Sequence, residues 1–361
     1  MRILLGICGE GSGHATRSKV VALHLLERGH ELLIAAQGRV APRLLETIDH
    51  PRCSVIPIVG MGLVGLEGAV DLRATIEENA QRLPQIMKAN AVAWAKAMIF
   101  RPDAIVTDFD SFSWLFAQAR DLPVLSVDNA QILLRCAHDP SLLALEPAGF
   151  AAFETFMRFK APDCDHYIVT SVFFPPLRVE YNDLTTLVPP VLRASVLHEL
   201  AEPRTTLDHA LLYKTSYVDD ESMVRALSAC PSARFIVYGL KSDVRLPANA
   251  ERREFDETRF LHDLATCRAV VSNGGMSLLG EAVSLGKPVY AVPVEGQYEQ
   301  LLNAAYVERL GYGVQSRRLD GRVLSDFLER APTYAAKLAH LPPHDRNARL
   351  YATLDALLPP A

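Results

Sequence analysis

No C-x-x-C pair occurs among the six cysteines (Cys8, Cys53, Cys136, Cys164, Cys230, Cys267). Their scatter argues against a zinc ribbon or a disulfide framework and points to a reducing compartment. There is no excess of positive charge either: 37 Lys and Arg against 42 Asp and Glu leave a net charge of −5, which speaks against a nucleic-acid partner. No stretch reaches the roughly 18 apolar residues that a spanning helix needs, although contact with a membrane surface stays open. The opening "MRILLGICGEG" has one Arg and an apolar run too short for the core of a signal peptide, with no cleavage-like segment after it; the expectation is a cytoplasmic protein. Two nucleotide-binding motifs are also missing. "GEGSGH" (9–14) supplies Gly9 and Gly11 but has His14 where the third glycine of G-x-G-x-x-G must stand, and no G-K-[ST] follows. The first gap weakens a nicotinamide or flavin reading, and the second excludes a phosphate loop of the NTPase kind.

What is present is a chain of 361 residues, 49% hydrophobic and 22% charged. That composition is ordinary for a globular protein, and the length suits two domains of roughly 150–200 residues. Short apolar runs alternate with helical patterns. "RILLGIC" (2–8) reads as a buried parallel strand, 15–29 as a helix with Gly29 as its stop, and "HELLIAA" (30–36) as the next strand. The pattern recurs with strands at 103–108 and 123–129 around a helix at 114–121. It returns in the second half with strands at 209–215, 233–239, 268–273 and 289–294 and a helix at 276–285. The glycine-rich segment 57–70 reads as a long surface loop. Prolines at 175, 176, 189, 190 and 203 make 175–208 a linker candidate. Two βα-repeating halves predict an α/β protein of two doubly wound, Rossmann-like domains, 1–187 and 191–340, facing across a cleft, with a helical stretch at 345–361.

Three stretches carry candidate chemistry. From position alone His14 reads equally as a helix-start residue in water and as an imidazole presented at the carboxyl edge of the first strand. Asp108 in "TDFDSF" (107–112) ends a strand on the same edge, where a carboxylate orients an imidazole and stabilises its charged form. Asp110 reads rather as a helix cap, although Asp108-x-Asp110 also has the spacing of a metal-holding pair. In "SNGGMSLLGE" (272–281) a strand ends at Asn273, Gly274 and Gly275 follow, and a helix opens at Met276 and Ser277. A helix N-terminus over bare backbone accepts a phosphate or diphosphate. Alone, Gly-Gly is better explained by a tight turn. Glu281 lies six residues past Gly275, about 7–9 Å along the helix, roughly the distance from a diphosphate to a ribose. Glu299 and Gln300 follow the next strand and suit the hydroxyls of a sugar.

These elements together resemble the donor-site signature of GT-B glycosyltransferases, among them the macrolide and plant glucosyltransferases and the enzyme that makes peptidoglycan lipid intermediate II. In "SNGGMSLLGEAVSLGKPVYAVPVEGQYEQLLNA" (272–305) the matching positions are Gly274, Gly275, Glu281, Gly286, Pro288, Pro293, Glu299, Gln300, Asn303 and Ala304. "GEGSGHATRS" (9–18) resembles the acceptor-domain loop of that superfamily, here Gly11, Ser12 and Gly13 before His14. "PDAIVTDF" (102–109) resembles the segment that holds the partner of the base. One departure is Asn273, where many relatives have a histidine facing the diphosphate. The resemblance implies the two-domain GT-B fold and an inverting, metal-independent transfer from a nucleotide sugar, UDP-linked, to a hydroxyl of a small or lipid-linked acceptor. No cofactor beyond that co-substrate is implied. His14 would be the base and Asp108 its partner, with Asn273, Gly274, Gly275, Met276, Ser277, Glu281, Glu299 and Gln300 at the donor. Arg193 would add a cation, and Phe260 and Leu261 would wall the nucleotide base. Two alternatives stand beside this reading: a UDP-sugar 2-epimerase of the same fold, and a non-catalytic nucleotide-sugar-binding partner subunit.

Overall fold

The computed structural model describes residues 1–9, 12–38, 40, 47–62, 64–66, 69–160, 162–214, 219–240 and 244–359. The chain divides into two compact units: Met1–Gly65, Asp71–Arg193 and Asp345–Ala361 form one, and Leu66–Val70 and Ala194–His344 the other.

The first unit opens with β1 (Arg2–Ile7), α1 (Ser12–Glu27), β2 (Glu31–Gln37) and β3 (Cys53–Ile58). Two paired two-residue strands, β4 (Gly65–Leu66) and β5 (Ala69–Val70), precede α2 (Leu72–Ala89) and α3 (Ala91–Phe100). Then come β6 (Ala104–Asp108), α4 (Ser111–Arg120), β7 (Val124–Asp128), α5 (Pro147–Lys160), β8 (His166–Thr170) and β9 (Thr185–Val188). Seven strands make one parallel sheet in the order β3-β2-β1-β6-β7-β8-β9. Helices on both faces bury it, which is why every residue of β6 and β7 is buried and not every second one. The register pairs Ile7 with Asp108, and the amide of Cys8 donates to the Asp108 carbonyl at 3.0 Å. The carboxyl ends of β1 and β6 therefore stand side by side. Gly6 permits the helix that follows β6 to close in: a Cβ there would lie 2.0 Å from the Ser113 hydroxyl and 2.5 Å from the Asp110 carboxylate.

The second unit contains α6 (Ala194–Ala201), β10 (Ala210–Tyr213), β11 (Phe235–Tyr238), β12 (Ala250–Arg252), α7 (Glu257–Thr266) and β13 (Ala269–Ser272). It continues with α8 (Met276–Ser284), β14 (Val289–Ala291), α9 (Tyr298–Arg309), β15 (Gly313–Gln315) and α10 (Gly321–Leu338). Its sheet, β12-β11-β10-β13-β14-β15, is parallel throughout. A last helix, α11 (Ala348–Leu357), belongs to the first unit. Leu350, Leu354 and Leu358 join the core of Val21, Leu25 and Leu26, and Asp355 pairs with His24 at 2.9 Å.

Two expectations are corrected. The segment 175–208 is not a bare linker: Thr185–Val188 forms the edge strand β9, paired with β8, and Ala194–Ala201 is helical. Four residues are too few to display a strand period, so the prolines dominated the sequence pattern. Nor is 57–70 a free loop. Its first two residues end β3, and the backbone of Val59, Gly62 and Val64 is strapped to α2 and the turn after it. Asn90 bonds both the amide and the carbonyl of Val59, Asn79 does the same for Gly62, and Thr75 accepts from Val64.

Candidate active site

Thr107 and Asp110 close a tight turn after β6, the Thr107 hydroxyl donating to the Asp110 carbonyl at 2.8 Å and accepting from its amide at 3.1 Å. Between the two aspartates Phe109 is held at a φ of 58°, the left-handed region that a bulky residue seldom adopts. This turn sends the two carboxylates to different tasks. Asp110 caps α4 by accepting from the Ser113 amide at 2.8 Å, and it accepts from Gln37 at 2.8 Å as well. Asp108, 1% exposed, turns toward α1. A metal-holding Asp108-x-Asp110 pair does not fit this geometry, because each carboxylate is already claimed by protein donors.

His14 lies in the first turn of α1 and its Nδ1 is 2.8 Å from Asp108 Oδ1. Sequence reading missed two further partners. Arg17 grips the same carboxylate with Nε at 3.2 Å and Nη2 at 2.5 Å, and the Ser18 hydroxyl donates to Oδ2 at 2.6 Å. Both were findable: residues three and four past His14 share its face of a helix. Arg17 Nη2 also comes within 3.2 Å of His14 Nδ1. A guanidinium only donates, so with Nδ1–H given to Asp108 that approach is a contact and not a hydrogen bond. The imidazole then carries its lone pair on Nε2, which has no partner among the described residues, and the side chain keeps 21% of its exposure. Burial pushes the Asp108 carboxyl up, but the charge of Arg17 and the hydrogen bonds from His14 and Arg17 outweigh it and hold the group down at about 2. Arg17 balances the charge of Asp108, and the carboxylate orients the ring. Gly11 lies outside the described residues; Ser12 and Gly13 open α1 beside this cluster.

In the second unit Gly274 has a φ of +76°. Its carbonyl is held at 3.0 Å by the side chain of Asn303 on α9. The amides of Gly274 and Gly275 are taken, at 3.3 Å each, by Ser272 Oγ and Asn273 Oδ1. The donors left bare belong to the next residues: α8 starts at Met276 without a side-chain cap, leaving the amides of Met276 and Ser277 at the positive end of the helix dipole. Glu281 is 6% exposed on α8. Glu299 and Gln300 open α9 at the same sheet edge, since β13 and β14 are neighbours. Gln300 turns its Oε1 back to the Val294 amide at 3.0 Å, so only its NH2 group remains for a ligand. Arg193 is half-buried at the end of the first unit. Phe260 and Leu261 are corrected. They lie on α7, 4% and 5% exposed, and Phe260 packs against Tyr213, Tyr238 and Phe255. A helix face turned into the core leaves no open surface for a nucleotide base.

The left-handed Gly274 gives a first expected result. A Cβ there would lie 3.2 Å from the Gln300 carbonyl, and an L-residue at such a φ costs about 1–2 kcal/mol. Gly274→Ala should lower the unfolding free energy by that amount, seen as a lower urea midpoint at unchanged slope; an unaltered midpoint would remove the constraint.

Two parallel α/β sheets, one in each unit, are the fold of a GT-B glycosyltransferase, and solved structures agree. The crystal structure of the glycotransferase of kitacinnamycin superposes with a TM-score of 0.68 at 18% identity, covering 99% of each chain. Phytolacca americana UGT2, complexed with UDP-2fluoro-glucose and pterostilbene, gives 0.66 at 13% identity over 98% of each. Residues 1–332 match the family described as glycosyl transferase family 1, and the chain belongs to that family. Among curated proteins it is similar to uncharacterized glycosyltransferases of Methanosarcina acetivorans and Methanosarcina mazei. Each is 27% identical over 87% of this chain and 85% of the relative.

Proposed function

We propose that this glycosyltransferase moves a hexosyl group from a UDP-sugar to a hydroxyl of a small or lipid-linked acceptor, with inversion and without a metal. The observation that carries the reading is the His14–Asp108 pair, 2.8 Å apart with Nε2 left open. In that arrangement Nε2 takes the acceptor proton as the oxygen attacks the anomeric carbon from the side opposite the leaving diphosphate. Asp108 holds the tautomer and offsets the imidazolium. The bare amides at the start of α8 stabilise the charge growing on the diphosphate, and Glu281 takes the ribose hydroxyls. Glu299 and the Gln300 NH2 group read the sugar. The metal-free reading is supported by the protein donors that occupy both Asp108 and Asp110. Among the described residues no three His, Cys, Asp or Glu side chains form a metal-holding group. No helix among them is long and apolar enough to cross a membrane.

The test is transfer from a panel of UDP-, dTDP- and GDP-sugars to hydroxylated acceptors, with the product anomer read by NMR. A retained anomeric configuration, or activity abolished by EDTA, would overturn the mechanism. UDP-GlcNAc incubated alone separates the epimerase alternative, which would convert it without an acceptor. Glu281→Ala should weaken UDP binding by about 1–3 kcal/mol, the usual loss for hydrogen bonds to a charged group; calorimetry returning the wild-type affinity would refute the ribose assignment.

A further inference from the structure

Lys160 is the last residue of α5 and is only 7% exposed, yet its ammonium has no carboxylate or hydrogen-bond acceptor among the described residues. Other buried cations of the first unit are satisfied. Arg17 is paired with Asp108, and Arg135 bonds Gln131 and Thr185. Lys287, similarly buried, precedes β14 at the edge of its sheet away from the binding loops. The carboxyl end of a helix favours a cation, which explains a lysine at position 160 but not its burial. Three N–H donors on an ammonium call for acceptors, and one aromatic face does not supply them.

That face is the ring of Phe109. Lys160 Nζ lies 4.9 Å from its centroid, and the same ring lies parallel to His14 with centroids 6.2 Å apart. The two separations place the ammonium within about 11 Å of the imidazole centre. Phe156, on the same helix as Lys160, meets Phe109 edge-on at 6.3 Å. The left-handed turn at Phe109 thus sets one aromatic ring against both a base and a cation without a protein acceptor among the described residues.

We propose that Lys160 recognises an anionic group, a carboxylate or a phosphate monoester, on the acceptor whose hydroxyl His14 deprotonates. The acceptor is then a hydroxylated acid of small span, its anion on Lys160 and its hydroxyl at Nε2. This rests on the reading of His14 as the base for the position of the hydroxyl, and on Lys160 alone for the charge.

Ligand-observed NMR tests the charge directly. The probes are hydroxybenzoates and a sugar acid, each paired with its methyl ester, and alkyl phosphates paired with their dimethyl esters. The intact chain should bind acids of at least one series about tenfold more tightly than their esters, and the series that shows it tells carboxylate from phosphate. Lys160→Gln should abolish that preference while leaving ester binding within about twofold, and Lys160→Arg should restore most of it. Should Lys160→Gln not fold, Lys160→Met, which keeps the stem, serves in its place. Esters binding as well as acids, no acid binding at all, or a preference that survives loss of the charge would each overturn the proposal. His14→Ala separates the two readings: it should keep the acid preference and lose transfer. Transfer surviving in that variant would sink the base assignment and leave the result at Lys160 standing.

Discussion

His14→Ala is expected to lower kcat by at least about 100-fold, because general-base catalysis is typically worth 10²–10⁴. The ring sits in the first turn of α1 with Nδ1 committed to Asp108 at 2.8 Å and Nε2 open, so its removal deletes the proton acceptor and leaves the donor unit untouched. Asp108→Asn should also lower kcat substantially, since an amide in that place no longer offsets the imidazolium. Combining the two should cost little more than His14→Ala alone, because the residues act as a unit. UDP affinity should stay near the wild-type value in all three, as Glu281 and the start of α8 belong to the second unit. Near-normal turnover of the alanine variant with a good acceptor would refute the mechanism while leaving the fold intact.

The second large effect concerns stability. Asp108 and Arg17 are 1% and 6% exposed and bonded twice, Nε to Oδ2 and Nη2 to Oδ1. Breaking a buried pair by removing one partner costs about 3–5 kcal/mol, because a charge is left uncompensated. Arg17→Met should therefore destabilise the chain by that amount at pH 7, and Arg17→Met with Asp108→Asn should recover much of it. The pH dependence has a definite sign. The Asp108 carboxyl is held down at about 2 in the folded chain against 3.8 in the free group, so the folded state favours the ionised form. Its contribution, about 2 kcal/mol, is fully present above pH 4 and is lost as pH falls through about 2. In Arg17→Met the depression should shrink, so less stability should be lost between pH 4 and 2 than in the wild type. Urea unfolding across that range checks it. An Arg17→Met variant as stable as wild type at neutral pH would mean that the pair contributes nothing.

The alternation of strand and helix was legible in the sequence because a parallel sheet buried on both faces leaves short apolar runs, and the helices between them keep their own period. The chemistry-bearing ends were legible for the same reason. His14 and Asp108 follow or end adjacent runs, and the glycine turn at 274–275 with Glu281 beyond it is a local pattern within one strand–helix unit. Local signals failed where a weak element borrowed its stability from a distant one. The four residues of β9 form a strand only because β8 offers an edge, and the segment after β3 is ordered by Asn79 and Asn90 from the helices beyond it. The placement of α11 in the first unit brings Asp355 to His24, 331 positions earlier in the chain.

The site divides along the same line. Residue types and spacing determined which side chains stand at the sheet edges. Only the tertiary structure decided what those side chains spend their hydrogen bonds on: Arg17 and Ser18 claim Asp108 across 91 and 90 positions, Gln300 turns its carbonyl inward, Phe260 and Leu261 enter the core, and Lys160 comes to rest over Phe109. The physical reason is that a helix or strand is selected by neighbours a few residues away, whereas a buried charge finds its partner, or goes without one, only when segments far apart in the chain are packed together.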